Sequence, residues 1–366
     1  MTKMTTWPDH RILDLLGIEV PIIQAPMAGA VTAPMAVAVA RAGGLASLPC
    51  ALLSPDRVRE EVEAFRCDTS NPINLNFFCH ASPAVDAARD RAWQQRLAPY
   101  YAELGLDPNK SVPGVAIDPC GAAQCALVEE IKPNVVSFHF GLPAEDLVDR
   151  VKAAGARVLS SATTVEEAVW LQEHGCDAII AQGLEAGGHR GMFLSGDVAM
   201  QLGTMALVPQ VADAVDLPVI AAGGIADARG IVAAFALGAS AVQIGTAYLF
   251  CPEATISPTH RQALEAARDD QTAITSVFSG RPARVIVNRI VRDLGPLPEG
   301  VPAFPLAGAA LAPLRAQAER SGSADFTPLW SGQAAHLCRP LPAGDLTRQL
   351  AEETLAKLEA GAADPV

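Results

Sequence analysis

The sequence predicts an α/β protein, a (β/α)8 TIM barrel with an insertion after strand three and a C-terminal helical extension. Three observations carry that prediction. Short apolar strands alternate with helix-period segments through roughly the first 250 residues, the strands number eight, and polar or glycine residues gather at the strand ends. Parallel neighbours require a long crossover, which a helix supplies. An open doubly wound sheet is the architectural rival, and the unbroken rhythm of eight favours closure.

Each unit reads as an apolar run, a Gly/Pro/Asn turn and an amphipathic stretch. The first strand is predicted at 21–25 with its helix at 33–42, and the second at 44–48 with a helix at 55–65. The third, 73–77, is followed by an inserted region at about 80–132 with helices at 83–104 and 122–131. Strand four (135–138) leads to a helix at 144–154, and strand five (157–161) to one at 165–174. Strand six covers 178–181. Strand seven (218–222) is joined to strand eight (241–245) by a helix at 228–237. Residues 1–251 are therefore assigned to the barrel. Residues 252–366 are irregular and proline-rich, with helices at 259–269 and 344–360, and are expected to pack over the barrel mouth rather than to form an independent domain.

Composition narrows the function. Apolar residues make up 50% of 366, enough for a large core, while only 5% are aromatic, so small and branched side chains pack it. The formal net charge of −13 argues against nucleic-acid binding, because phosphate backbones are met by basic surfaces. A small anion is still compatible, since backbone N–H groups hold phosphate without net positive charge. The eight cysteines form no CxxC pair or Cys/His cluster, so no metal site is expected. Residues 1–17 are polar and broken by charges, unlike a signal peptide. The apolar stretch 230–245 is interrupted by Gly238, Ser240 and Gln243 and reads as a helix followed by a strand, not a membrane span. A cytoplasmic protein, monomer or homodimer, with no membrane partner is the expectation.

The chemistry is expected at the C-terminal ends of the strands, where barrel loops converge. Pro26 and Met27 follow strand one, Asn76 lies at the end of strand three, and His139 follows strand four. Strand six runs into Gln182 and the loop holding Gly187, Gly188, His189 and Arg190. Strand seven ends in Gly223 and Gly224, strand eight in Gln243, Ile244, Gly245 and Thr246. Glycines after two adjacent strands let N–H groups approach an anion that Cβ atoms would obstruct, and a helix N-terminus supports them. A phosphorylated ligand follows; ordinary turns are the plainer reading. Asn76 and Gln182 each offer a donor and an acceptor, as a flavin ring edge requires, and would equally satisfy a buried turn. Pro26 and Met27 offer backbone and a soft apolar surface beside such a ring. His189, flanked by glycines in a loop without apolar period, suits a general base or donor near neutral pH, against the alternative of a solvated loop histidine. His139 reads equally as a pocket residue or a satisfied core histidine, and Arg190 as a solvated surface arginine. A GxSxG elbow, a P-loop and a dinucleotide fingerprint are all missing.

Several stretches together resemble one family, the nitronate monooxygenases, formerly called 2-nitropropane dioxygenases. They are Ile23-Gln-Ala-Pro-Met-Ala-Gly29, Asn74-Leu-Asn-Phe-Phe78, Val136-Ser-Phe-His-Phe-Gly141 and Ala181-Gln-Gly-Leu-Glu-Ala-Gly-Gly-His-Arg-Gly191. Pro218-Val-Ile-Ala-Ala-Gly-Gly-Ile225, Gln243-Ile-Gly-Thr246, Ser279-Gly-Arg-Pro-Ala-Arg284 and Leu329-Trp-Ser-Gly-Gln333 continue the likeness. The resemblance implies a barrel binding FMN non-covalently. It also implies oxidation of alkyl nitronates of the propionate 3-nitronate type by O2 to a carbonyl product and nitrite. Asn76, Gln182, Gly187, Gly224 and Gln243 to Thr246 match its FMN-binding positions, His189 its active-site histidine, and His139 a second pocket histidine. The family's pocket tyrosines and lysine have no counterpart in 304–315, and the only tyrosines are Tyr100, Tyr101 and Tyr248. Arg315 or His260 are the candidates to take that place. Two other functions fit the same residues: an NAD(P)H-dependent flavin reductase acting on a quinone or enoyl thioester, and a non-catalytic flavin-binding module.

Overall fold

Leu45 closes the sheet on itself. Its N–H donates to the Ile22 carbonyl at 3.0 Å, and its own carbonyl accepts from the Gln24 N–H at 3.0 Å. The computed structural model describes residues 6–84, 86–107 and 117–363. Its barrel strands are β1 (Ile22–Gln24), β2 (Ala46–Pro49), β3 (Ile73–Phe78), β4 (Val135–His139), β5 (Arg157–Ala162) and β6 (Ala178–Gln182), and, beyond a two-residue strand β7 (Gly188–His189), β8 (Val219–Ala222) and β9 (Ala241–Ile244). All pairings are parallel, in the order β1-β9-β8-β6-β5-β4-β3-β2, with Leu45 joining β2 to β1. This is the predicted (β/α)8 barrel.

The helices before the extension are α1 (Arg11–Leu16), α2 (Ala33–Arg41), α3 (Pro55–Asp68), α4 (Ala87–Glu103), α5 (Ala122–Ile131), α6 (Glu145–Ala153), α7 (Val165–Glu173), α8 (Thr204–Ala214), α9 (Ala228–Ala236) and the single turn α10 (Thr246–Leu249). Side-chain caps set several of their starts. Ser54 accepts from the Arg57 N–H ahead of α3, Thr164 from that of Glu167 ahead of α7, and Asp227 from those of Arg229 and Gly230 ahead of α9. The strands are buried on both faces, as parallel strands covered by helices must be.

Helix α8 lies where no helix was predicted. Pro209 sits inside it, and an interior proline costs about 3 kcal/mol. Leu207, Val208 and Val211 are buried beside it, at about 1.5–3 kcal/mol each, so packing wins.

The chain continues through α11 (Pro258–Ala266), β10 (Thr272–Thr275), β11 (Ala283–Ile286), α12 (Arg289–Leu294), α13 (Ala307–Arg320) and α14 (Ala343–Ala363). Strand β11 pairs antiparallel with β10 on one side and β7 on the other, which ties the extension to the loop after β6. Trp93, Leu97 and Tyr101 of α4 share an apolar cluster with Phe278, Leu311, Leu314 and Phe326 of the extension. This cluster is separate from the barrel core, a feature the proline-rich composition had concealed. Helix α14 departs from its expected place over the mouth. It packs on α2 and α9 at the barrel's flank, because Leu346, Leu350 and Ala351 join the main core and Thr347 Oγ1 bonds the Tyr248 hydroxyl at 2.7 Å. Among the described residues, no helix is long and apolar enough to cross a membrane.

Candidate active site

A polar chain runs through the barrel interior toward the mouth. Gln24 Oε1 accepts from the Ser47 N–H at 3.1 Å, and the Asn74 amide donates to Ser47 Oγ and Ser137 Oγ, both at 2.9 Å. Asn76 then donates to the same Ser137 Oγ at 2.9 Å and to its carbonyl at 3.2 Å. Its Nδ2 is thus committed, while Oδ1 makes no hydrogen bond among the described residues. Asn76 borders a cavity of about 620 Å³ at the C-terminal ends of the strands.

Pro26, Met27, His139, Gln182, Gly187, Gly188 and His189 line that cavity. So do Gly223, Gly224, Gln243, Gly245 and Thr246 from the seventh and eighth barrel strands. Ile244 is the exception. Strand alternation turns its side chain into the core, and its carbonyl already accepts from the Ala25 N–H at 2.8 Å. The extension supplies the outer wall with Phe278, Phe304, Leu311, Phe326 and Trp330.

His189 does not lie in a loop as expected, but in β7, where it pairs with Ala283 of β11. Phe78, Phe140, Phe304 and Trp330 have ring centroids 6.4, 6.0, 5.4 and 5.2 Å from its imidazole. Burial among them pushes its pKa down to about 3, with His139, Arg281 and His80 adding positive potential. Its Nε2 lies 2.8 Å from Ser279 Oγ, and Nδ1 has no partner among the described residues.

His139 is spent on positioning. Its Nε2 is 3.2 Å from the His189 carbonyl, which can only accept, so the proton sits there and Nδ1 accepts from Ser161 Oγ at 3.0 Å. Burial first, then Arg281 and Arg190, pushes its pKa down to about 4. Gln182 grips the same turn, donating to the His189 carbonyl at 3.0 Å and accepting from the Gly191 N–H at 2.8 Å. Three side chains therefore fix where His189 stands: Gln182, His139 and, through it, Ser161.

Arg190 overturns its expectation as a surface residue. It is 0% exposed and donates to the Gly183 and Gln182 carbonyls, both at 2.7 Å, and to Gln201. Carbonyls at the end of β6 that leave the ladder need donors, and a guanidinium with five N–H groups supplies several at once. Sequence reasoning gave no role to Ser279, Ser161 or Arg281. Arg281 stacks 4.1 Å over Phe140, and its Nε has no partner among the described residues. Ser279 and Arg281 do belong to a stretch that carried the resemblance, but nothing local shows that it folds back onto β7.

The cavity lining suits a flavin phosphate. Gln243, on its wall, has a buried Oε1 without a partner among the described residues, so an acceptor awaits a donor. Gly224 has φ +71°, which leaves its backbone free of the Cβ an L-residue would carry there. A Cβ on Gly187 would lie 2.5 Å from the Gly332 nitrogen, so the loop stays slim for the extension to close over it. The helix after strand eight, α10, has only four residues, so the individual N–H groups rather than a helix macrodipole face the mouth. The residues fit a flat, phosphate-bearing group with mixed polar edges.

The profile of the family described as Nitronate monooxygenase matches residues 9–353. The chain belongs to the nitronate monooxygenase family. A nitronate monooxygenase of Pseudomonas aeruginosa is similar, 44% identical over 350 residues that make up 94% of this chain and 98% of that protein. A nitroalkane oxidase from Streptomyces ansochromogenes superimposes with TM-score 0.86 at 36% identity, covering 96% of this chain and 99% of its own. FabK from Thermotoga maritima superimposes with TM-score 0.72 at 28% identity, covering 96% and 98%. Membership makes the chain an oxidoreductase of small molecules, in a family whose chemistry is nitronate oxidation and whose cofactor is a flavin.

Proposed function

We propose that this nitronate monooxygenase family member binds FMN and oxidises alkyl nitronates with O2 to a carbonyl product and nitrite, in the cytoplasm, as a monomer or homodimer. The observation that carries the reading is His189 Nδ1, unpartnered, on a residue that lines a cavity also lined by two glycine turns and an orphaned amide oxygen. FMN, when bound, supplies the electron acceptor and the centre that meets O2. Gly223, Gly224, Gly245 and Thr246 would hold its phosphate, and Asn76 Oδ1, Gln182 and Gln243 its polar ring edges, beside Pro26 and Met27. An anionic nitronate needs no base, and the His189 ring only packs beside it; from a neutral nitroalkane its Nδ1 removes the α-proton. A yellow protein that consumes O2 and releases nitrite from propionate 3-nitronate supports the reading. Yellow colour without nitrite would leave a binding module, and rapid anaerobic bleaching by NADH would favour a reductase.

Because the His189 pKa is depressed to about 3, the neutral base is present above that pH and is lost only as pH falls through it. For freshly dissolved neutral nitroethane, kcat/KM is therefore expected to stay flat from pH 5 to 8. A limb centred near 6.5 would show a solvated imidazole instead.

Tyr100, Tyr101 and Tyr248 all lie away from the cavity, bonded to Asp293, the Ala310 carbonyl and Thr347. Arg315 is the one arginine or lysine in the lining among the described residues, at the outer wall beside His260, whose Nε2 donates to the Trp330 carbonyl at 2.9 Å. Arg315 is the candidate to meet a substrate carboxylate. It is half exposed and paired with Glu319 at 2.9 Å, so the effect is small. Arg315→Met is expected to raise KM for propionate 3-nitronate by no more than about fivefold, with KM for ethylnitronate unchanged. Equal changes for both would remove Arg315 from carboxylate recognition.

A further inference from the structure

We infer that Ser279 is a positioning residue that fixes the tautomer of His189, holding the proton on Nε2 so that Nδ1 presents a lone pair to the cavity. The inference rests on the base role proposed for His189 above.

One hydroxyl decides the tautomer. Ser279 Oγ has three neighbours: His189 Nε2 at 2.8 Å, the Arg281 N–H at 3.3 Å and the Arg281 carbonyl at 3.3 Å. A serine hydroxyl has one proton and two lone pairs. The Arg281 N–H can only donate and the Arg281 carbonyl can only accept, which uses one lone pair and the proton. What remains for His189 is the second lone pair, so Nε2 must donate. The opposite tautomer would take the serine proton away from the Arg281 carbonyl.

Among the described residues, no other group near the ring can set this proton. The aromatic rings around the imidazole offer no acceptor, and the charged or titratable neighbours, His139, His80 and Arg281, are cationic or neutral groups. His139 reaches the His189 backbone carbonyl and not its ring. Ser279 thus holds the ring as the third group does in a nucleophile–base–orienter arrangement, with the reacting atom at the far nitrogen. During proton removal the Cα–H bond of the nitroalkane breaks, its proton joins Nδ1, and its electron pair moves onto the nitro group to give the nitronate. The imidazolium that forms keeps Nε2–H on Ser279 Oγ, so that bond strengthens as charge develops.

Two measurements test this. The first is long-range 1H–15N NMR of the imidazoles, which needs no turnover. Wild-type protein is expected to show His189 as the Nε2–H tautomer, S279T to keep it, and S279A to show mixed tautomers. A wild-type Nδ1–H tautomer, or an S279A spectrum like wild type, would overturn the inference. The second is kinetic. A hydrogen bond to a forming cation is worth about 10- to 100-fold, so S279A should lose that much kcat on neutral nitroethane with KM little changed. Turnover of ethylnitronate should stay within about threefold, and S279T should recover most of the loss. Equal losses on both substrates would mean a merely structural serine. If wild type releases no nitrite from any nitronate, the functional reading fails, while the tautomer in the NMR spectrum still decides the role of Ser279.

Discussion

His189→Asn is expected to lower kcat/KM for neutral nitroethane by about 100-fold or more, and that for ethylnitronate by less than about tenfold. The asymmetry follows from what each substrate asks of the site. A nitroalkane must lose an α-proton, and the proposed base, His189 Nδ1, has no competing partner among the described residues. Asparagine keeps a polar side chain at the site, but it cannot take up a proton. Positive potential from Arg281 persists in the variant, so attraction of the anion survives. The cofactor is expected to stay, because the proposed phosphate and ring contacts lie on other residues. The measurement is oxygen uptake with each substrate, after the flavin spectrum has confirmed equal loading. Equal loss on both substrates would mean that the histidine binds or orients and removes no proton.

The parts of this site that were legible in the sequence are those built from short, local patterns. Eight apolar runs of strand length, each followed by a turn, placed Asn76, Gln182, Gly223, Gly224 and Gln243 at one end of a barrel, and there they stand around one cavity. What could not be read is what depends on chain returning from far away. Arg190 looked solvent-facing because the groups that bury it, Gln201 and the Gln182 and Gly183 carbonyls, meet its guanidinium only once the loop after β6 is folded. Ser279 stands 90 positions from the histidine it contacts. His139 ends an apolar strand, and no local pattern tells that its two ring nitrogens meet Ser161 and the His189 carbonyl. Helix α8 carries an interior proline, Pro209, and forms because Leu207, Val208 and Val211 are buried in the core behind it, which a local pattern does not show. Periodicity reports which face is buried, not what it is buried against.

Gly224→Val is expected to give a folded but colourless protein, with FMN affinity at least about 100-fold weaker. Two effects combine. The residue has φ +71°, where a side chain costs about 1–3 kcal/mol, and relieving that strain changes the backbone of the turn proposed to hold the phosphate. Its Cβ would also meet Glu185 Cβ at 3.3 Å, and the Glu185 carboxylate holds the start of α8 by accepting from the Thr204 N–H at 2.8 Å and its hydroxyl at 2.8 Å. A valine therefore distorts the turn from above and pushes on its support from below. Gly155→Val separates strain from site. Gly155 also has positive φ, +94°, with open space around its Cβ, and it precedes β5 at the opposite end of the barrel. It should lower Tm through the same backbone strain while leaving the protein yellow. Fluorescence titration with FMN reads the difference. If Gly224→Val binds FMN as tightly as Gly155→Val does, the phosphate is held by the Gly245–Thr246 turn alone and the paired-glycine reading of strand seven is wrong.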